Sequence, residues 1–223
     1  MDQHGGHTPL PTILRGDFAK PPPALAPLRA RLQWVIWRLT WRAGRWTKPP
    51  FRCDDPLRFA SSADPSSWSS YDTAVAAAAA NGDGISYVLT AEDRFAAVDI
   101  DNVLDPVTGT IEPWAQRLLD QASHSYVEIS PSGTGLRIWG TATGEKLHCN
   151  FTFDTSRLEL FRRTHKVLTV TGLQLGTSQQ LGNIDALVDR AVIWAEQHKQ
   201  KTQRGQAGRQ QHRCRNDGAV QHP

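Results

Sequence analysis

One short run, Phe95–Asp101, constrains this chain more than any other stretch, because it combines the pattern of a buried strand with two acids. Side chains alternate between the two faces of a strand, so Asp99 and Asp101 share a face, about 7 Å apart along the backbone. The intervening alanine, valine and isoleucine occupy the other face, which suits packing against helices. Two carboxylates held side by side are costly unless solvent or a cation screens them. The run therefore predicts either a solvated strand with two surface acids or a divalent-metal site.

The positive charge of the chain is unevenly distributed. The formal net charge is +3, but residues 199–215 hold six Lys and Arg and no acid, so residues 1–198 carry 19 basic and 21 acidic side chains. A body of this charge would need local basic patches to bind nucleic acid. The composition of the C-terminal segment, rich in Gln, Arg and Gly, predicts disorder, as a solvated extension or as a nucleic-acid contact.

The length and composition indicate a soluble protein with one main folded unit. We expect a flexible lead-in over residues 1–23, a folded domain over residues 24–198 and a disordered basic tail over residues 199–223. The sequence shows no apolar run of membrane-spanning length and no signal peptide, which predicts a cytoplasmic protein without a membrane partner. The three cysteines form no CxxC pair, so neither a disulfide framework nor a zinc site is expected.

A basic, aromatic hairpin is predicted near the start of the domain. The runs 33–41 and 46–51 are rich in aromatic and branched residues and flank a turn, and Pro49 and Pro50 place the second run at a sheet edge. The hairpin contains four of the eight tryptophans. It is either a hairpin with a solvated basic face or a surface that contacts phosphates and stacks bases. The candidate nucleic-acid contacts on this hairpin are Arg38, Arg42 and Arg45.

The remaining pattern mixes helices and strands. Apolar spacing and turn residues predict helices at 71–80, 113–123 and 183–199, and strands at 84–89, 126–130, 136–139, 157–161 and 167–171. The strand at 84–89 is expected to form a central hairpin with Phe95–Asp101, and residues 144–156 are expected to be irregular. These elements predict the α+β class with a largely antiparallel sheet.

The two-residue period gathers further polar side chains on the face of Asp99 and Asp101. If the later strands lie in the same sheet, Arg137, Glu159, Thr169 and Thr171 point the same way as the two aspartates. Three acids, Asp99, Asp101 and Glu159, could hold two Mg²⁺ or Mn²⁺ ions, which suits phosphoryl or nucleotidyl transfer.

A small-residue loop leads directly into the strand of Arg137. Such a loop is either an ordinary turn or a cradle for a triphosphate, since glycines allow close backbone approach and hydroxyls and N–H groups donate hydrogen bonds. The candidate nucleotide-binding residues here are Ser130, Ser132, Gly133, Thr134 and Gly135.

Taken in order, these motifs resemble a known family. The quoted motifs are Asp99–Ile–Asp101, Glu128–Ile–Ser–Pro–Ser–Gly–Thr–Gly–Leu136, Leu158–Glu159–Leu160 and Leu168–Thr–Val–Thr–Gly172. The set resembles the primase-polymerase domain of the archaeo-eukaryotic primase superfamily, and most closely the bifunctional DNA primase-polymerases of phage and plasmid type. The upstream run Trp46–Thr–Lys48–Pro49 is also similar to their N-terminal part.

The resemblance implies a fold, an activity and a set of site residues. It implies an RRM-like catalytic sheet packed with an N-terminal α/β unit, and template-directed nucleotidyl transfer on single-stranded DNA with NTPs or dNTPs. A helicase acting in trans is an implied further partner. Asp99, Asp101 and Glu159 match the metal-binding acids, while Lys48 and the Ser132–Gly135 loop match positions near the incoming nucleotide.

One departure separates this chain from the family pattern. The family's strand after the small-residue loop usually carries a histidine that contacts the nucleotide, and here the position is Arg137. Arginine binds phosphate but cannot act as a neutral imidazole. Three hypotheses therefore remain: a metal-dependent primase-polymerase, a catalytically inactive relative that binds nucleic acid or nucleotide, and a metal-dependent nuclease.

Overall fold

The computed structural model of the chain describes residues 9–81 and 84–199, which form helices and antiparallel sheets. The α+β class is therefore confirmed. The helices are α1 (Ala26–Arg29), α2 (Tyr71–Asn81), α3 (Pro113–Gln121) and α4 (residues 185–199). The strands are β1 (Trp34–Trp37), β2 (Thr40–Arg42), β3 (Arg45–Thr47), β4 (Pro50–Phe51), β5 (Gly84–Leu89), β6 (Phe95–Asp101), β7 (Tyr126–Ile129), β8 (Leu136–Thr141), β9 (Leu147–Phe153), β10 (Ser156–Arg162), β11 (Lys166–Val170) and β12 (Gln174–Leu175).

The strands divide into two larger sheets and a small ribbon. The four-stranded sheet has the order β11-β5-β1-β4, the six-stranded sheet has the order β12-β7-β8-β6-β10-β9, and β2 pairs only with β3. The predicted hairpin of β5 with β6 is wrong, because the two strands lie in different sheets. The two sheets pack against each other instead, and the ring centroids of Tyr87 on β5 and Phe95 on β6 lie 5.9 Å apart in an edge-on contact. Both strands are buried along most of their length, so the alternation of side chains could not identify their partners.

The early hairpin is confirmed, with an interruption. The register Ile36 to Phe51 continues as Trp41 to Trp46, so β1–β2 and β3–β4 are the two arms of one long hairpin. The arms separate around residues 38–39 and 48–49, where β1 and β4 leave the ribbon and join the four-stranded sheet. Ala43 and Gly44 form the turn, both with positive φ, which is the geometry of a tight two-residue hairpin turn. As the prolines predicted, β4 lies at a sheet edge.

Helices α3 and α4 cover one face of the six-stranded sheet. Ala96, Val98 and Ile100 of β6 share a buried cluster with Leu118 of α3 and Leu187 of α4, as the alternation predicted. The buried Arg162 of β10 ties α4 to the sheet, because its Nη1 lies 3.1 Å from Asp185 Oδ1 and 2.9 Å from Asp189 Oδ1. The opposite face of the sheet is left for the four-stranded sheet and for the polar residues described below.

Helix α2 packs on the four-stranded sheet through the alanines on its inner face. It begins after Ser70, whose hydroxyl accepts a hydrogen bond from the Thr73 N–H at 3.2 Å. Ser70 therefore caps this helix. None of the helices within residues 9–81 and 84–199 has the length and apolar character needed to cross a membrane.

The ends of the chain fall partly outside the described residues. Residues 9–16 carry no helix or strand, but the Leu14 N–H donates to the Pro131 carbonyl at 2.9 Å and the Gly16 N–H donates to the Thr171 carbonyl at 2.8 Å. The predicted basic tail, 199–223, lies outside the described residues except for its first residue. The proposed domain boundaries remain predictions.

Candidate active site

A line of six polar side chains crosses the whole six-stranded sheet. Opposite residues of an antiparallel ladder point to the same face, so the registers of the five strand pairs place these side chains in a single row. In sheet order the row, called the polar row below, is Gln174, Glu128, Arg137, Asp99, Glu159 and Asn150. The sequence predicted that Arg137, Asp99 and Glu159 share a face, and the structure makes them direct neighbours on β8, β6 and β10.

The same face of β6 changes from apolar to acidic along the strand. Phe95 and Ala97 belong to the core cluster that includes Trp34 and Tyr87 of the four-stranded sheet. Asp99 and Asp101 follow on this face and are only half-buried. The packing between the two sheets thus gives way, at the end of β6, to a charged region that solvent reaches.

Arg137 is held firmly against Asp99. Its Nε and Nη2 donate to Asp99 Oδ1 at 3.1 and 2.7 Å, and its Nη1 donates to the Thr169 carbonyl and, at 2.8 Å, to the Thr169 hydroxyl. Only 6% of the Arg137 side chain is exposed. The expectation that Thr169 lies in the same sheet as Arg137 is wrong, since β11 belongs to the four-stranded sheet. The two sheets nevertheless bring these side chains together.

Glu159 lies between two basic side chains. Arg157 donates from Nη2 to Glu159 Oε1, and Lys166 Nζ lies 3.7 Å from Glu159 Oε2. Arg157 also donates from Nε to Asn150 Oδ1 at 3.0 Å. Only 8% of the Glu159 side chain is exposed, so these two basic groups, and not water, lie closest to its charge.

The charged groups of Asp101 and Lys48 are held less tightly than those of Arg137 and Glu159. Burial raises the pKa of Asp101 and nearby Asp99 raises it further, while Arg137 and Arg157 act in the opposite direction. Removal of water by the surrounding protein lowers the pKa of Lys48 and Arg137 lowers it further, while Asp101 and Asp99 oppose this. Lys48 Nζ lies 5.9 Å from the Trp37 ring centroid, and Lys48 is close enough to Asp101 and Asp99 for both carboxylates to act on its pKa.

The raised pKa of Asp101 predicts a pH-dependent gain in stability on removing its charge. At neutral pH the folded protein holds this carboxylate ionised at a cost, so Asp101→Asn should raise the midpoint of urea unfolding at pH 7 without divalent cations. The gain should vanish as the pH falls through the raised pKa, because folded wild-type Asp101 then binds a proton. Urea unfolding followed by fluorescence across the pH range checks this.

Asp105 provides a control of opposite sign. Hydrogen bonds from the Val107 and Thr108 N–H groups lower the pKa of this exposed carboxyl. Its stabilising contribution is present at neutral pH and is lost as the pH falls through the lowered pKa. Asp105→Asn should therefore reduce stability at pH 7 and have no effect at low pH. A fall in stability at pH 7 for Asp101→Asn as well would contradict the account of Asp101.

The small-residue loop lies beside the end of β6. The Gly135 N–H donates to the Ser130 hydroxyl at 3.1 Å, and a Cβ atom on Gly135 would lie 2.8 Å from the Ile100 carbonyl oxygen. The hydroxyls of Ser130 and Ser132, and those of Ser132 and Thr134, are 3.0 Å apart in each pair. Gly133 has a φ of +77°. Three hydroxyls thus form a chain next to the acidic end of β6, which suits contact with phosphate oxygens.

The basic hairpin presents its candidate contacts unequally. Arg42 and Arg45 are exposed on the ribbon, whereas Arg38 is half-buried, with its guanidinium 4.5 Å from the Phe51 ring centroid and its Nη2 2.6 Å from the Pro56 carbonyl. Trp41 is 46% exposed and Phe59 is 61% exposed. The ribbon therefore combines the accessible ring of Trp41 with two exposed arginines, and Phe59 lies beside it, with the Arg42 guanidinium 5.9 Å from its ring centroid. Arg38 is the least accessible of the three arginines.

Glu128 is a site residue that the alternation did not single out. It neighbours Arg137 in the polar row, has no exposed surface, and accepts five hydrogen bonds. The donors are Tyr126 Oη, Trp139 Nε1, the Thr171 N–H and hydroxyl, and the Gly172 N–H, at 3.0–3.2 Å. Burial raises the pKa of Glu128, while Arg137, the Trp139 Nε1–H group and the Gly172 and Thr171 N–H groups act in the opposite direction. An acid in an apolar strand, beside a loop of interest, was the signal available in the sequence.

The acids Asp99, Asp101 and Glu159 have the oxygen ligands that a hard divalent cation prefers, but Asp99 and Glu159 are ion-paired with arginines in this structure. Mg²⁺ and Mn²⁺ prefer oxygen ligands, and the crowding that raises the pKa of Asp101 is a repulsion that a cation relieves. Arg137 and Arg157 now supply much of the compensating charge. In the described part of the chain, no three or more His, Cys, Asp or Glu side chains are gathered closely enough to hold a metal ion.

Comparison with known proteins gives one informative relative. No protein-family model matches the chain. The chain is 37% identical over 153 residues to a protein of Nitratiruptor phage NrS-1 named DNA primase-polymerase. The match covers 67% of this chain but 20% of that protein, so the chain spans about a fifth of the length of this relative. The similarity supports the resemblance to primase-polymerases that the ordered motifs predicted.

Proposed function

We propose that this chain catalyses metal-dependent, template-directed nucleotidyl transfer, as a DNA primase-polymerase in the replication of a mobile element. The observation that carries the proposal is the placement of Arg137, Asp99 and Glu159 as neighbours in the polar row, with Asp101 two residues further along β6. The similarity to a phage protein named DNA primase-polymerase supports it. The six-stranded sheet would then be the RRM-like catalytic sheet of the family.

Each group at the site has a proposed role. Asp99, Asp101 and Glu159 would hold two Mg²⁺ or Mn²⁺ ions, and such ions activate an attacking oxygen and stabilise the leaving one. Lys48 and Arg137 would neutralise the triphosphate, and the Ser130–Gly135 loop would orient its oxygens. In the reaction, the 3′ oxygen of the growing strand bonds to the α-phosphorus of an NTP or dNTP, its proton leaves, and pyrophosphate departs.

The template and partners follow from the same proposal. Single-stranded DNA would lie along the basic ribbon, where Arg42 and Arg45 contact phosphates and the exposed aromatic faces stack on bases, with Arg38 closer to the sheet. A helicase acting in trans is the partner that we propose for strand separation.

The close pairing of Arg137 with Asp99 favours a second candidate, a non-catalytic module that binds nucleotide or nucleic acid. In that case Arg137 permanently neutralises the Asp99 carboxylate, which a metal ion would need as a ligand. Primer synthesis and extension on single-stranded DNA, with Mg²⁺ or Mn²⁺ and labelled NTPs or dNTPs, separates the two candidates when wild type is compared with Arg137→His.

The outcomes of this comparison are distinct. Product from wild type supports the enzyme and shows that arginine is tolerated. Product from Arg137→His alone indicates an enzyme that Arg137 has disabled. Absence of product from both proteins supports the binding module. In a parallel reaction with end-labelled single-stranded DNA and no nucleotides, shortening of the DNA would favour the nuclease hypothesis. Arg117→His, on helix α3 and away from the polar row, is the matched control and should behave as wild type.

A further inference from the structure

One strand edge of the six-stranded sheet lacks the features that normally protect edges. The exposed backbone groups of an edge strand can pair with another strand, so natural edges are usually very short or carry proline or lysine. Of the four edge strands of the two larger sheets, β4 and β12 have two residues each, β4 contains Pro50, and β11 begins with Lys166. Strand β9, Leu147–Phe153, is seven residues long and contains no proline and no charged residue.

The backbone of β9 is regular and open on its outer side. All seven residues pair in one continuous register with β10, so no bulge twists the edge away. Alternate backbone N–H and C=O groups of β9 therefore point away from β10. Among the described residues, no backbone hydrogen bond other than those to β10 reaches residues 147–153.

The two faces of β9 limit what can pair with it. Leu147, Cys149, Phe151 and Phe153 pack against the cluster beneath the helices, and His148, Asn150 and Thr152 are exposed on the side of the polar row. An added strand must continue an apolar face on one side and a polar face on the other. An antiparallel second copy of β9 meets this condition when Asn150 opposes Asn150, because every residue then opposes one of its own face.

The same register also matches charge at both ends of the strand. It places all seven residues opposite a partner residue, with His148 facing Thr152 and Leu147 facing Phe153. Just beyond the strand, Lys146 of one copy comes near the turn that holds Asp154 of the other, twice by symmetry. Their opposite charges favour the pairing, and residues 147–153 carry no charge that would oppose it.

We propose that two copies of this chain associate through antiparallel pairing of their β9 strands about Asn150. The two six-stranded sheets then form one continuous sheet, and both polar rows lie on the same face of it. A single strand edge buries less surface than the roughly 1,600 Å² of a standard stable interface, so the dimer is reversible and depends on concentration. This inference does not depend on the proposed activity.

Asn150 provides a direct test, because the register opposes this residue to itself. In sedimentation equilibrium of the whole chain, the wild-type mass should rise with concentration toward twice the 24.7 kDa of one chain. Asn150→Lys alone should weaken the dimer by about fivefold, since like charges face each other. Asn150→Glu alone should weaken it less, because Arg157, which contacts residue 150 in each copy, offsets part of the repulsion. An equimolar mixture of the two variants should dimerise more tightly than either variant by itself.

Thr152 serves as the matched control on the same face. It opposes His148, so Thr152→Lys and Thr152→Glu should dimerise nearly as wild type, and mixing them should give no gain. Hydrogen exchange of those amides of residues 147–153 that point away from β10 should become slower as the concentration rises. The proposal is overturned if wild type stays monomeric up to about 100 μM, the concentration scale of weak complexes. It is also overturned if these amides are already protected in the monomer, or if the Thr152 variants weaken the dimer as much as the Asn150 variants. Wild-type mass and exchange decide the matter even if an Asn150 variant fails to fold.

Discussion

Nucleotide incorporation should fall by on the order of 10³-fold or more when Asp99 and Asp101 are replaced together by asparagine. Removing a single preorganised electrostatic contact to the reacting groups typically costs 10²–10³-fold in rate, and this variant removes two negative charges that would hold the metal ions. Asparagine keeps the shape of both side chains and still accepts a hydrogen bond from Arg137. The loss would therefore report the missing charge rather than a collapsed site. Extension of a labelled primer in Mn²⁺, under single-turnover conditions, measures it.

An acid outside the polar row gives the control for this experiment. Asp120 is exposed on helix α3, where its Oδ1 accepts a hydrogen bond from Gln116 Nε2 at 2.8 Å. Asp120→Asn should retain wild-type incorporation. The loss of even one such contact typically lowers the rate by about 100-fold or more. If the double variant keeps more than about a tenth of the wild-type rate, the two aspartates do not form the catalytic centre.

Glu128→Leu should produce the largest loss of stability among the polar-row variants. The substitution leaves the donors of Tyr126, Trp139, Thr171 and Gly172 without an acceptor in a fully buried position. It also deprives the buried Arg137 of one of the two acids beside it in the polar row. Removing one member of a buried charged network typically costs about 3–5 kcal/mol. Urea unfolding at pH 7, monitored by tryptophan fluorescence, gives the free energy of unfolding.

Two further variants make this prediction specific. Glu128→Gln should lose less than Glu128→Leu, because an amide oxygen still accepts from the Thr171 and Gly172 N–H groups. Glu112→Gln changes an exposed acid that makes no side-chain hydrogen bond at the start of α3 and should leave stability within about 0.5 kcal/mol of wild type. Equal stability of Glu128→Leu and wild type would show that the buried network is not what holds the two sheets together at this point.

The sequence revealed the faces of strands better than their partners. The alternation in Phe95–Asp101 correctly assigned one face to the helices and the other to the acids, because that pattern depends only on the chain's own two-residue period. The pairing of β5 and β11 in a second sheet was missed, since both strands are apolar and an apolar strand fits many neighbours. Thr169 nevertheless accepts hydrogen bonds from Arg137, because the four-stranded sheet packs beside the polar row.

Strand β9 and the role of Glu128 were not predicted from the sequence, for different reasons. The run 147–153 was expected to be irregular, although Leu147, Cys149, Phe151 and Phe153 alternate with polar residues as a half-buried strand requires. The alternation of β9 is present in the sequence, but the turn-forming residues on both sides of the run favour an irregular segment. Glu128 was harder to foresee, because its importance depends on donors from three separate segments that only the folded chain brings together.

The most direct test of the central claim is whether the product follows the template. Purified full chain is incubated with Mn²⁺, a labelled primer and either a poly(dT) or a poly(dC) template, with all four dNTPs supplied one at a time. Template-directed transfer at the polar row predicts incorporation of dATP on poly(dT) and of dGTP on poly(dC), and neither in the Asp99→Asn/Asp101→Asn variant. Absence of any covalent product, or incorporation that ignores the template, would contradict the account.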